Sequence, residues 1–198
     1  MSQTLRSLFY LKAFGFKFYE PAKTKTKIEY TSLNELYAQI DRCQLCELSH
    51  LRQKNKQNAS AGINLTTPKL VFVSILEVKN REFLTNIASK NLNIAKDEID
   101  FISVIKCPAK DKINKHSINL CLPYFYNELS LRDIKAAIVL GDEACGYIFT
   151  EELSRARGIV QNIANTKAVA CFSDEYVIKN PSKEGEFIAD LIKIRSYL

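Results

Sequence analysis

The sequence predicts an α/β protein whose four parallel strands are buried on both faces, and three observations carry that expectation. Four short runs, at 69–76, 101–105, 136–140 and 167–172, are rich in valine, isoleucine or phenylalanine. Helical periodicity falls between and after them, at 81–92, 117–129, 143–149 and 184–197. The strand runs are continuously apolar instead of alternating, which is the pattern of a strand covered by helices above and below. Ligands of such sheets sit at the carboxyl ends of the strands. Lys106 and Cys107 stand at one predicted end, and Gly141 with Asp142 at another.

Taken in order, residues 1–30 read as an extension. Leu5, Leu8, Phe9 and Lys12 keep helical spacing up to Gly15, Phe16 and Phe18 alternate with polar neighbours, and Thr24-Lys25-Thr26-Lys27 after Pro21 is a polar linker. The main domain is expected over 31–198. Ser32-Leu33-Asn34-Glu35 has the form of a capping box and opens a helix that delivers Cys43 at or just past its end. The stretch 52–67, with Lys54, Asn55, Lys56, Asn58, Ser60 and Gly62, reads as a long polar loop. The alternation of strand and helix begins after it.

The chain has 198 residues, 46% hydrophobic and 25% charged, which suits one globular domain with an extension. No stretch approaches the roughly eighteen apolar residues of a membrane span, and Lys12 interrupts the patch Leu8-Phe9-Tyr10-Leu11. Neither a membrane partner nor a secretory signal is expected, which makes the cytoplasm the expected compartment. Thiols stay reduced there, so the cysteines are read as metal ligands before disulfides. A net charge of +6 suits an anionic partner.

Four of the six cysteines form a spaced set: Cys43-Gln44-Leu45-Cys46, then Cys107-Pro108, then Cys121. The close pair can hold one ion or cluster from a single turn, and Cys107 with Cys121 can complete a four-thiolate shell. Zinc and an iron–sulfur cluster both accept four thiolates. Four-cysteine zinc sites more often use two close pairs, so the single pair favours iron–sulfur and leaves zinc as the alternative. Free buried thiols are the other reading, but the polar neighbours Asp41, Arg42, Gln44, Glu47 and Lys106 speak against an apolar core.

The order Cys43-x-x-Cys46-x-Leu48, Val104-Ile105-Lys106-Cys107-Pro108, Cys121-Leu122-Pro123-Tyr124, Val139-Leu140-Gly141-Asp142-Glu143-Ala144 and Arg157-Gly158 resembles the iron–sulfur (family-four) uracil-DNA glycosylases. The similarity spans 33–198. It implies a three-layer α/β/α fold, a [4Fe–4S] cluster on Cys43, Cys46, Cys107 and Cys121, DNA as partner and a place in DNA repair.

The resemblance also implies three excision motifs, and the chain departs from each. A Gly-Glu-x-Pro-Gly loop with an acidic pair and a Pro-Phe should follow the first strand; Glu77 is the one carboxylate on the shortened loop here. The asparagine that reads the uracil edge is replaced by Ser103, which has a hydroxyl where a carboxamide pairs bidentately. The His-Pro-Ser is replaced by Ser173, Asp174 and Glu175, and carboxylates there oppose a departing anion that a histidine stabilises. His50 and His116 lie at no equivalent position.

The sequence thus predicts a family-like protein that keeps cluster and fold and binds DNA weakly, with uracil excision lost or strongly reduced. Phosphate contacts are expected from Arg52, Lys54, Lys56, Lys106, Lys110, Lys112 and Lys115. Two other readings remain open: an active glycosylase for another damaged base, and an iron–sulfur interaction or redox-sensing protein with a protein partner.

Overall fold

The computed structural model describes residues 30–59, 67–109 and 113–198. All of the predicted extension but its last residue, Tyr30, therefore lies outside the described residues, as do Lys110 and Lys112.

Helices α1 (Leu33–Asp41) and α2 (Glu47–Lys54) precede β1 (Leu70–Ser74), α3 (Arg81–Leu92), β2 (Ile99–Ser103), α4 (Lys115–Leu131) and β3 (Ala136–Leu140). Helices α5 (Gly141–Ile148) and α6 (Leu153–Ala156), strands β4 (Val160–Ile163) and β5 (Thr166–Cys171), and helices α7 (Asp174–Lys179) and α8 (Glu184–Ile192) follow. The sheet order is β2-β1-β3-β5-β4. The four predicted strands are there and run parallel, from Leu70 opposite Ile99 and Ala136 to Leu140 opposite Cys171. The expected count of four is corrected to five: β4 adds an antiparallel edge on β5, with Val160 opposite Val169.

Period-two alternation sends successive strand side chains to opposite faces, and both faces are dry. Val71, Val73, Ala137, Val139, Ala168 and Ala170 pack beneath α4, α5 and α6 with Phe125, Leu129, Cys145 and Ala156. Leu70, Phe72, Ile138, Val169 and Cys171 pack on the other face against Leu84 and Leu92 of α3 and Phe187 and Leu191 of α8. The sheet is thereby the middle of three layers. Outside α4, Leu36, Tyr37 and Ile40 of α1 make a small cluster with Tyr124 and Leu131.

Ser32 caps α1, its side chain accepting from Glu35 N–H, while Glu35 Oε2 accepts from the Thr31 backbone at 2.9 Å. The predicted loop at 52–67 is in part helix. α2 is N-capped by Cys46, whose backbone N–H donates to Ser49 Oγ at 3.2 Å while that hydroxyl donates back to Cys46 O at 2.6 Å. Among the described residues no helix is long and apolar enough to cross a membrane.

Candidate metal centre and strand-end crevice

Four elements bring the spaced cysteines together. α1 ends at Asp41, and Cys43 N–H donates to Ile40 O at 3.0 Å, placing Cys43 just past the helix, half-exposed. Cys46 is the N-cap of α2 and is buried. Pairing of β1 with β2 continues beyond both strands, through Val104 N–H to Ser74 O at 2.8 Å and Ile105 N–H to Ile75 O at 3.0 Å, so Cys107 emerges directly past the β2 carboxyl end. Cys121 lies on the buried face of α4. Cys107, Cys46 and Cys121 share one core cluster with Leu48 and Ile105.

Electrostatics shows these thiols to be mutual neighbours. Burial pushes the Cys107 thiol up to about 11, the nearby Arg52 guanidinium pulls it down, and Cys121, Cys46 and Cys43 push it up again. Burial also raises Cys121, against the Lys106 backbone N–H, which donates to its sulfur; Cys46 and Cys43 raise it further. Tyr124 is raised by burial and then by Cys43, with which it shares a side-chain hydrogen bond. Without an electrophile the raised Cys107 and Cys121 thiols hold their protons at neutral pH, and metal binding would release them.

Among the described residues no group of three or more His, Cys, Asp or Glu side chains is arranged to hold one metal ion. A [4Fe–4S] cluster asks for less convergence, because each thiolate binds a different iron. The donor set of four cysteines with N–H and guanidinium donors at the sulfurs fits such a group chemically: hydrogen bonds to thiolate ligands are a standard feature of these centres.

The predicted basic residues divide. Lys54, Lys56 and Lys115 are exposed. Arg52 is 1% exposed, and its Nη2 donates to Ile40 O at 2.6 Å and Asp41 O at 3.0 Å. Lys106 is paired with buried Glu128 on α4, and its Nζ also donates to Ser103 O at 2.6 Å. Glu128 lies 3.7 Å from Arg132 Nη1, and Arg132 also pairs with Asp100. Neither Arg52 nor Lys106 faces solvent, so both are withdrawn from the phosphate-contact set.

The chain leaves β1 toward β2 on one side, while β3 lies on the other, which makes the carboxyl ends of β1 and β3 the topological switch point. Every position expected to replace an excision residue is engaged there by the chain itself. Glu77 pairs with Arg81 at 2.8 Å on the surface. Ser103 Oγ donates to Ile105 O at 2.8 Å, and Ser173 Oγ caps α7 by accepting from Tyr176 N–H at 3.2 Å. Asp174, expected to confront an entering base, is 7% exposed and accepts from Asn80 Nδ2 at 2.8 Å. Glu175 lies 3.4 Å from Lys79 Nζ. Together Asn80 with Asp174 and Lys79 with Glu175 tie the loop after β1 to the start of α7.

Gly141 opens α5 with φ +83°, a conformation that favours glycine, and a Cβ there would lie 3.3 Å from Ser173 Cβ. Arg157 stacks on Phe172, 3.9 Å from the ring centroid, and its Nε lies 2.6 Å from Asp190 Oδ2. A cleft of about 460 Å³ is lined by Ser74, Glu77, Ser103, Lys106, Cys107 and Glu128. A second, of about 700 Å³, is lined by Gly141, Arg157, Phe172, Ser173 and Tyr176. The first adjoins a thiol and two of the replaced positions, which makes it the closer to the candidate chemistry.

The sequence reading missed the Lys106–Glu128–Arg132–Asp100 chain of charges, whose members are spread over β2, the segment just after it, and α4 with its C-cap. Fold and site together describe an α/β protein in which Cys46, Cys107 and Cys121 share one core cluster by the carboxyl end of an outer parallel strand, with Cys43 just past α1. Compared with models of known protein families and with curated proteins, the sequence matches none.

Proposed function

We propose that this chain is a [4Fe–4S] protein of the uracil-DNA glycosylase type that binds nucleic acid through backbone contacts and has lost, or nearly lost, base excision. One observation supports the reading: Glu77, Ser103, Ser173, Asp174 and Glu175 are each engaged in contacts within the chain, while Cys46, Cys107 and Cys121 share one core cluster and Cys43 lies just past α1. Excision needs groups free to grip a flipped base and to stabilise the departing anion. Each such group is worth roughly a hundredfold or more in rate, so loss at three motifs leaves little turnover.

When bound, the cluster would supply a rigid four-point staple and a one-electron couple, with Cys43, Cys46, Cys107 and Cys121 as its ligands. The exposed Lys54, Lys56 and Lys115 flank those ligands in sequence and supply positive charge at the rim. Lys110 and Lys112 belong to the same proposed set. The ties between Asn80 and Asp174 and between Lys79 and Glu175 oppose deep entry of a base at the switch point, leaving phosphate contacts dominant.

The test is release of base from duplexes containing U:G or U:A, from single-stranded uracil DNA and from a panel of damaged bases, scored as abasic sites, beside binding titrations in varied salt. The reading predicts weak, salt-sensitive binding and no excision above background. Turnover abolished by Glu77→Gln or Asp174→Asn would establish an active glycosylase instead. No binding to any strand even at low salt would favour a protein-interaction role.

A further inference from the structure

Arg52 is a charge the fold leaves unanswered. Its guanidinium is permanently cationic, and at 1% exposure it is among the largest fully buried side chains of the protein. Nη1 donates to Cys107 Sγ at 3.5 Å, Nη2 donates to the carbonyls of Ile40 and Asp41, and Nε has no hydrogen-bond partner among the described residues. Among those residues it makes no ion pair with a carboxylate. The contrast with Lys106 is direct, because that ammonium is equally buried but sits against Glu128. Burying a lone cation is strongly unfavourable, and a neutral thiol is a weak acceptor that offsets little of it. A thiolate beside the guanidinium would balance the charge.

We propose that Arg52 is the built-in counter-cation of the thiolate centre, holding its negative charge and setting its reduction potential through Cys107. The inference rests on the cluster reading given above. A [4Fe–4S] cluster with four thiolates is dianionic in its oxidised form and gains one more negative charge on one-electron reduction. A fixed cation in a low-dielectric site favours the more negative state, so Arg52 should make the centre easier to reduce. Its two carbonyl contacts also bind the end of α1, and hence Cys43, to the Cys107 side of the site. Arg52 is thus a positioning residue as well as a charge.

The experiment compares the anaerobically purified full chain with Arg52→Gln and Arg52→Lys. Iron and acid-labile sulfide are measured on each, and the midpoint potential is taken by redox titration followed by electron paramagnetic resonance. Arg52→Gln is expected to hold the cluster less firmly and to lower the reduced-to-oxidised ratio at the parent's midpoint about tenfold, a negative shift of about 59 mV for one electron. Arg52→Lys, which keeps the charge and loses the fork, should fall between. If Arg52→Gln loses its iron, retention by Arg52→Lys upholds the requirement for charge. An unchanged potential in an iron-loaded Arg52→Gln overturns the proposal, as does loss of iron from both variants, which would make Arg52 a strut whose shape matters and not its charge. A parent without iron and sulfide defeats the cluster reading itself, a result separate from either of these.

Discussion

Replacing Glu128 with glutamine tests whether the charges beneath the 460 Å³ cleft act as a structural unit. Lys106 and Glu128 have side-chain exposures of 5% and 3%, and Arg132, at 3%, is shared between Glu128 and Asp100. Tyr37 adds a hydrogen bond to Glu128, which together with burial holds its hydroxyl well above the usual tyrosine range. Glu128→Gln keeps the shape and removes the charge, so Lys106 is left buried without an anion while Arg132 keeps Asp100. Breaking a buried pair from one side costs about 3–5 kcal/mol. Against a total stability of about 5–15 kcal/mol, and at about 2–4 °C per kcal/mol for a domain of this size, the thermal midpoint should fall on the order of 10 °C. Lys106→Met should cost a similar amount, and Lys106→Met with Glu128→Leu should recover most of the loss, because an apolar replacement of both partners leaves no orphan charge. The assay is urea and thermal unfolding of the four chains as a double-mutant cycle. Salt-dependent DNA binding is read in parallel: a phosphate-contacting lysine would reduce the salt slope by about one when removed, whereas Lys106→Met is expected to leave it unchanged. A Glu128→Gln variant within about 0.5 kcal/mol of the parent, or a Lys106→Met variant with a shallower salt slope, would refute this placement of Lys106.

Changing Lys54, Lys56 and Lys115 together to glutamate should weaken DNA binding at every sequence tested and flatten its salt dependence, measured by fluorescence anisotropy; parent-like binding would remove these residues from the interface. Cys145 and Cys171 should resist alkylation in the native protein near pH 8 and react after unfolding, as mass spectrometry would show. Burial pushes Cys145 up to about 11, with Asp142 and Glu151 adding to it, and raises Cys171 well above the ordinary thiol range, so neither sulfur is a ready thiolate. Since both folded thiols titrate above their unfolded values, the stability they contribute is complete below about pH 8.5 and declines as pH rises toward 11. Unfolding midpoints that rise across that window would contradict the placement of these thiols.

Much of the fold was legible because burial on both faces writes itself into composition. β3 and α3 match their predicted bounds, β1 lies inside its own and β5 is shifted one residue earlier, since runs such as Ala136-Ala137-Ile138-Val139-Leu140 leave no polar residue for solvent. β2 begins two residues earlier than expected, at Ile99, because a tight turn at Lys96–Glu98 leads straight into it and its Asp100 pairs with Arg132. β4 was missed for the opposite reason: Val160-Gln161-Asn162-Ile163 has one buried residue and owes its strand form to pairing with β5. α2 was hidden by its polarity, with only Leu48, Ser49 and Arg52 buried. Spacing alone singled out the four cysteines, three of which, Cys46, Cys107 and Cys121, share one core cluster. The roles of Arg52 and Lys106 were not, because what removes them from solvent is the end of α1 for one and Glu128, far along the chain on α4, for the other.

The central claim is that Cys43, Cys46, Cys107 and Cys121 hold an iron–sulfur cluster, and iron and acid-labile sulfide content with the visible spectrum of anaerobically purified protein tests it most directly. The account predicts a brown protein with a broad charge-transfer band near about 400 nm and iron and sulfide in about four-to-four ratio per chain. Serine at any of the four positions should bleach the protein and weaken its fold, whereas serine at Cys145 or Cys171 should leave the colour intact. A colourless protein with one zinc per chain, or colour that survives loss of Cys107 and Cys121, would contradict it.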